Sequence, residues 1–108
     1  MMSLFASKSY HWALFLAHIS VEKLLKALYV SKFGKHAPFT HNLYRLAEQC
    51  EIEMTDEQAD WLDVITSFNL KARYDDYKRE FYRKSTREFA EDWIEKVKQI
   101  RLWINQML

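Results

Sequence analysis

Glycine and proline each occur once in this chain of 108 residues, and that scarcity restricts its fold more than any other feature. Tight β-hairpins depend on glycine, and long irregular loops are usually rich in both residues. The apolar residues instead recur at intervals of three and four, which is the period of an amphipathic helix. The length suits a single domain with one core. The sequence therefore predicts one all-α domain over residues 1–108, an up-and-down bundle of about four helices.

The first predicted helix runs from about Tyr10 to Phe33 and is apolar over more than half of its circumference. A helix of that kind must be covered on several sides, so we expect it to lie at the centre of the bundle. Gly34 follows directly, at the position where a residue in the left-handed conformation ends many helices.

Three further helices are predicted where a capping residue precedes an apolar pattern. Thr40 is the predicted N-cap of a short helix from His41 to about Glu48. Residues 55–58 (Thr-Asp-Glu-Gln) have the pattern of a capping box, in which two side chains bond reciprocally to backbone N–H groups. A second such pattern, Ser-Thr-Arg-Glu at 85–88, predicts the start of the last helix.

Cysteine content and apolar runs indicate the compartment. Cys50 is the single cysteine, which excludes an internal disulfide framework. The stretch from Met1 to Tyr10 lacks the pattern of a signal peptide, and the apolar run from Trp12 to Ala17 is too short to span a bilayer. We expect a cytoplasmic protein with no membrane segment.

Charge is segregated along the chain although the net charge is only +1. The segment from Glu48 to Asp63 contains seven acidic residues and no basic one, whereas the segment from Lys71 to Arg87 contains seven basic residues and three acidic ones. The basic segment is interleaved with tyrosine and phenylalanine. Basic groups neutralise phosphates and aromatic rings stack on bases, so the mixture is typical of a nucleotide or nucleic-acid site. A solvated helical linker with a few core aromatics would show the same pattern.

The residues predicted to bind nucleotide or RNA are Arg73, Tyr74, Tyr77, Lys78, Arg79 and Arg83.

Three segments resemble the HEPN domain family, in the family's order and spacing over roughly residues 4–105. They are Tyr10-x-x-Ala13-x-Phe15-x-x-His18 followed by Val21-Glu22-Lys23-Leu24-Leu25-Lys26-Ala27, then Thr40-His41-Asn42-Leu43, and finally Phe68-Asn69 followed by Ala72-Arg73-Tyr74-Asp75.

The resemblance implies a helical bundle that usually dimerises. Some members of the family are ribonucleases and toxins, others bind nucleotides, and many are encoded beside a small nucleotidyltransferase that partners or neutralises them. It therefore implies a nucleotide- or RNA-binding module, a homodimer or the partner of a nucleotidyltransferase, and membership of a toxin–antitoxin pair. The aromatic content, with four Trp, six Tyr and seven Phe, also favours a surface for a partner or a second copy.

The chain departs from the family in two places. The family begins with a full helix before the signature helix, whereas only a stub, Met1 to Ser7, precedes it here. Ribonuclease members also carry an Arg followed by a His after four to six intervening residues, a pair that can hold a phosphate and move the proton of a ribose hydroxyl. All four histidines of this chain precede its first arginine, Arg45, so the motif is absent. The expected site is therefore degenerate, and the alternative is an active ribonuclease toxin with a non-standard site around Arg73 to Arg79.

Other catalytic and metal sites are less favoured. Catalytic candidates for the alternative function are Arg73, Asp75 and Asp76, although adjacent carboxylates usually belong to a solvated turn. His11 and His18 are two helical turns apart, too far to share a metal ion, and His18 is expected to be a core-edge histidine bonded to a neighbour. We expect neither a metal nor a cofactor.

Overall fold

The computed structural model describes residues 10–108, apart from the side chain of Asp75. The predicted stub at the N-terminus lies outside the described residues. Five helices occur between residues 10 and 108, one more than the sequence predicted. They are α1 (Tyr10–Phe33), α2 (Leu43–Gln49), α3 (Asp56–Arg73), α4 (Asp75–Lys84) and α5 (Arg87–Asn105).

Helix α1 is the centre of the bundle, as its broad apolar face predicted, and it packs against all four other helices. Its predicted end at Phe33 is confirmed, and the helix is continuous from Tyr10, the first described residue. The chain leaves α1 at Gly34, which adopts a φ of +64° and donates its N–H to the Val30 carbonyl oxygen at 2.8 Å. Although α1 is the longest helix, neither it nor any other helix between residues 10 and 108 is long and apolar enough to cross a membrane.

Helix α2 begins two residues later than predicted, and the prediction of Thr40 as its N-cap is wrong. The Asn42 side chain caps the helix, because its Oδ1 accepts the Arg45 N–H at 3.0 Å. The Thr40 hydroxyl instead accepts the Asn42 N–H at 3.1 Å. That bond forms a turn ahead of the helix and leaves His41 in the loop rather than in the first helical turn.

Capping boxes were predicted at the starts of α3 and α5. The first is confirmed: Thr55 and Gln58 bond reciprocally, each side chain to the other's backbone N–H, at 3.0 and 3.1 Å. The second is wrong: Thr86, not Ser85, is the N-cap of α5, and its hydroxyl accepts the Phe89 N–H at 3.2 Å, but the Phe89 side chain has no polar atom to bond back. Ser85 is buried, and its hydroxyl has no hydrogen-bond partner among the described residues.

Helix α4 is the additional helix, within the stretch for which a helical linker was one interpretation. Tyr74, with φ −103° and ψ 127°, is extended and separates α4 from α3 by a single residue. Phe81 is 2% exposed and stacks on Phe68, with ring centroids 5.7 Å apart and an interplanar angle of 22°. Among the described side chains of α4, Phe81 is the one that is buried, so it anchors the helix to the core.

The helices α3 and α5 run in opposite directions. Phe89, near the start of α5, contacts Phe68, near the end of α3, with ring centroids 6.2 Å apart. One turn after the start of α3, Trp61 lies under the ammonium group of Lys96 from the middle of α5, at 5.8 Å. These contacts confirm the up-and-down arrangement.

Four segments meet at one end of the bundle. Tyr10, at the start of α1, lies near Arg87, at the start of α5. Trp12, in the first turn of α1, lies under the ammonium group of Lys78 from α4, at 5.7 Å. The end of α3 joins α4 directly. We call residues 10–12 and 71–87 together the basic end.

Candidate nucleotide and RNA site

The three motifs shared with HEPN domains converge on a polar cluster beneath the surface. His18 is fully buried, and its Nδ1 accepts a hydrogen bond from the Asn69 amide at 3.3 Å. The other ring nitrogen, Nε2, donates to the His41 carbonyl oxygen at 2.9 Å. The Glu22 carboxylate accepts from His41 Nδ1 at 2.8 Å and from Lys26 Nζ at 3.0 Å. The cluster thus ties α1 to α3 and to the loop before α2.

Burial and hydrogen bonding act in opposite directions on the pKa values of this cluster. Burial lowers the pKa of His18 below its ordinary value of 6.5, although the bond to the His41 carbonyl and the charge of Glu22 favour the proton. Burial alone would raise the pKa of Glu22, but the hydrogen bonds from His41 and Lys26 outweigh it, and the pKa is lowered. Neutral His18 uses both ring nitrogens in the cluster. It is therefore a structural residue, and the expectation of a core histidine bonded to its neighbours is confirmed.

The outer side of α4 presents arginines to solvent. Arg79 and Arg83 are one turn apart and lie on the side of the helix opposite Phe81. Both side chains are exposed, as is that of Arg73 at the end of α3. None of the three forms an ion pair with another described residue, so their guanidinium groups are open to an external anion.

One flank of α4 faces the first turn of α1. Lys78 places its ammonium group over the Trp12 ring, and the Tyr82 ring meets the edge of His11 with centroids 5.1 Å apart. Trp12 and Tyr82 are 38% and 60% exposed, so both rings keep a surface free for stacking. Neither His11 nor Trp12 was predicted as a member of this site. No local signal could have found them, because only the packing of α1 against α4 brings them there.

The opposite flank of α4 borders a shallow pocket. It has a volume of about 70 Å³ and is lined by Lys71, Tyr77, Glu80, Phe81 and Lys84. Tyr77 is 49% exposed at its rim, and Tyr74, at the junction with α3, is 58% exposed. Two ammonium groups, one carboxylate and a half-exposed ring thus surround the depression, so its lining carries a net charge of only +1.

The acidic residues of the basic end are Asp75, Asp76 and Glu80. Asp75 is the first residue of α4, and Asp76 is exposed beside it. Between residues 10 and 108, no three His, Cys, Asp or Glu side chains come together in a way that would hold a metal ion. The described side chains of this end offer positively charged groups and aromatic rings. They suit a ligand that carries both a phosphate and a base.

The predicted binding residues thus lie within one surface, although on different sides of α4. Arg79 and Arg83 face outward, Lys78 faces α1, and Tyr77 faces the pocket. The acidic segment 48–63 begins at the end of α2 and reaches the first half of α3, away from the basic end.

Comparison with known proteins identifies the family. No curated protein and no solved structure is significantly similar to this chain. The model of the HEPN domain, however, matches residues 1–107, and these include all three motifs that converge on the polar cluster. The match covers essentially the whole chain, and the all-α bundle agrees with the fold of the family. The chain therefore belongs to the HEPN domain family.

Proposed function

We propose that this protein is a nucleotide- or RNA-binding HEPN module whose binding surface is the basic end. Membership of the family supports a nucleotide- or RNA-related role. The observation that carries the proposal is α4 itself. A single buried ring, Phe81, holds this helix on the bundle, and its other described side chains are exposed. Unpaired cations and exposed rings at this density are what a phosphate-bearing ligand requires.

Salt dependence tests the binding proposal. A fluorescein-labelled single-stranded RNA should bind the protein less tightly at 200 mM salt than at 50 mM, because binding releases counterions from the phosphates. Replacing Arg79 and Arg83 by alanine should lower the affinity. It should also make the negative slope of the logarithm of the binding constant against the logarithm of the salt concentration shallower by about 1.4, which is about 0.7 for each lost phosphate contact. The matched control replaces Lys35 and Arg45, two exposed basic residues outside the basic end and away from the outer face of α1, and should retain the original slope. Affinity that does not change with salt would refute the proposal.

The lack of the Arg-x4–6-His motif favours binding without the family's ribonuclease chemistry. Lys78, Arg79 and Glu80 occupy the three positions after Arg73 at which the motif would place its histidine. The alternative, a ribonuclease toxin with a non-standard site around Arg73 to Arg79, makes a different prediction. Purified protein would then cleave RNA, with or without a divalent metal, and the variant Arg73→Ala/Arg79→Ala would not. No cleavage by the unaltered protein would contradict the alternative.

We further propose that the protein acts as a homodimer and as the partner of a nucleotidyltransferase in a toxin–antitoxin pair. Its family often dimerises or pairs with other proteins. On α1, the exposed side chains of Leu16, Ala27 and Val30 lie on one face, with partly exposed Ile19 and one exposed charge, Lys23, between them. A stripe of this kind on the central helix favours contact with a second copy.

The oligomeric state tests this part of the proposal. Light scattering after gel filtration should give twice the mass of one chain, and Leu16→Glu should give a monomer. Leu102→Glu is the control, because Leu102 is 64% exposed on the charged side of α5. A monomeric unaltered protein at tens of micromolar would contradict the homodimer and leave the acidic segment 48–63 as the candidate surface for a different partner.

A further inference from the structure

His11 stands at the edge of the proposed binding surface, between two exposed aromatic rings. Its ring centroid lies 5.3 Å from that of Trp12 and 5.1 Å from that of Tyr82. The ammonium group of Lys78 lies over the same Trp12 ring, 5.7 Å from its centroid. One imidazole, one ammonium group and two rings that can stack on bases thus occupy one small area of the surface.

Partial burial and the charge of Lys78 both disfavour the protonated form of His11 in the free protein. The groups that face it from α4 are the ammonium of Lys78 and the phenol of Tyr82. No carboxylate of a described residue pairs with His11. Partial burial lowers the pKa of His11 below 6.5, and the positive charge of Lys78 lowers it further.

We propose that His11 belongs to the ligand site and that it takes up a proton when a single-stranded phosphodiester chain binds across Lys78, Trp12 and Tyr82. This inference rests on the proposed function, since it assumes that the basic end binds phosphate. It adds the class of ligand and the group whose charge changes on binding.

The physical reason is the charge of the phosphate. A phosphodiester beside Lys78 neutralises the ammonium charge that disfavours protonation of His11, and it attracts the imidazolium directly. The pKa of His11 is then higher in the complex than in the free protein. By linkage, a site that binds more protons in the complex binds its ligand more tightly as the pH falls. The rings of Trp12 and Tyr82 favour unpaired bases, because a base within a duplex offers no free face.

The test measures the affinity for oligouridylate with hydroxyl ends at pH 5.5, 6.5 and 7.5 and at constant salt. This probe has no group of its own that titrates in that range, unlike a terminal phosphate. We expect the affinity of the unaltered protein to rise as the pH falls, by at most tenfold for each pH unit. His11→Asn should bind with an affinity that hardly changes with pH. His36→Asn is the matched control, because His36 is exposed in the loop between α1 and α2 and should leave the pH dependence intact.

Two further measurements make the result decisive. His11→Lys carries a permanent charge, so at pH 7.5 it should already reach the affinity that the unaltered protein shows at pH 5.5. Calorimetry at pH 6.5 in two buffers of different ionisation enthalpy should report net proton uptake for the unaltered protein and none for His11→Asn.

The outcomes separate this inference from the proposed function. If RNA binds but His11→Asn keeps the pH dependence and the proton uptake, His11 is not the group that titrates and the inference is wrong. If the unaltered protein binds no RNA at any of the three pH values, the proposed function is refuted and this inference with it.

Discussion

Replacing His18 by glutamine tests whether the buried polar cluster holds the bundle together. Glutamine can still donate an N–H to the His41 carbonyl oxygen, but it offers no acceptor at the position of Nδ1, so the buried Asn69 amide loses a partner. An unsatisfied buried donor costs about 1–3 kcal/mol. We expect the free energy of unfolding of His18→Gln at pH 7.5 to fall by that amount.

The same variant has a pH signature whose sign follows from the lowered pKa of His18. In the unfolded chain the imidazole titrates near 6.5, whereas in the fold its pKa lies below that value. Below pH 6.5 the unfolded state therefore binds more protons than the native state, and the stability falls as the pH falls. The limit is about 1.4 kcal/mol for each pH unit until the folded pKa is reached. His18→Gln lacks this loss, so the difference in stability between the two proteins should shrink on acidification.

The assay is urea unfolding at pH 7.5, 6.5, 5.5 and 5.0, followed by tryptophan fluorescence and circular dichroism. Glu22 and His11 also have lowered pKa values and destabilise the fold in acid, but both are present in each protein and their contributions cancel in the difference. His36→Gln is the control and should follow the unaltered protein at every pH. A difference between His18→Gln and the unaltered protein that stays constant from pH 7.5 to 5.0 would refute the reasoning.

Three further predictions concern stability and reactivity. Phe81→Ala should lower the free energy of unfolding by about 3–5 kcal/mol, because Phe81 stacks on Phe68 and anchors α4. Amide hydrogen exchange should become faster in α4 more than elsewhere, and equal protection of α4 in both proteins would contradict this. Thr86→Ala should lower the free energy of unfolding by about 1 kcal/mol, because α5 loses its cap. Ser85→Ala should leave the melting temperature unchanged or raise it, since the buried Ser85 hydroxyl has no partner in the described part of the chain. If Ser85→Ala were the more destabilising of the two, Ser85 would be the cap. Burial raises the pKa of the Cys50 thiol, so a disulfide reagent should label it slowly in the native protein and fast in urea; equal rates would show that the thiol is accessible.

Much of the helical framework was predictable because its signals are local. The end of α1 follows from its apolar period and from Gly34, and the start of α3 follows from the Thr55 capping box. The cap of α2 was misplaced because Thr40 and Asn42 both have a side chain suited to capping, and only the backbone geometry selects Asn42. A capping residue competes with its neighbours within a few residues, so errors of one or two positions are expected there.

Helix α4 was not predicted as a separate element for a different reason. Its break from α3 is a single extended residue, Tyr74, and neither glycine nor proline marks it. The turn is stabilised by what α4 packs against, chiefly Phe68 beneath Phe81. A break that depends on a tertiary contact leaves no trace in a short window of sequence.

By itself, then, the sequence determined the helical class, the end of α1, the start of α3, the family and the segment that carries the exposed cations. The tertiary structure alone decided which distant residues share a site. Asn69 meets His18 because α3 returns along α1, and His11 meets Tyr82 because α4 folds back over the first turn of α1. Periodicity and capping act within one helix, whereas these contacts arise when buried rings such as Phe81 fix one helix against another.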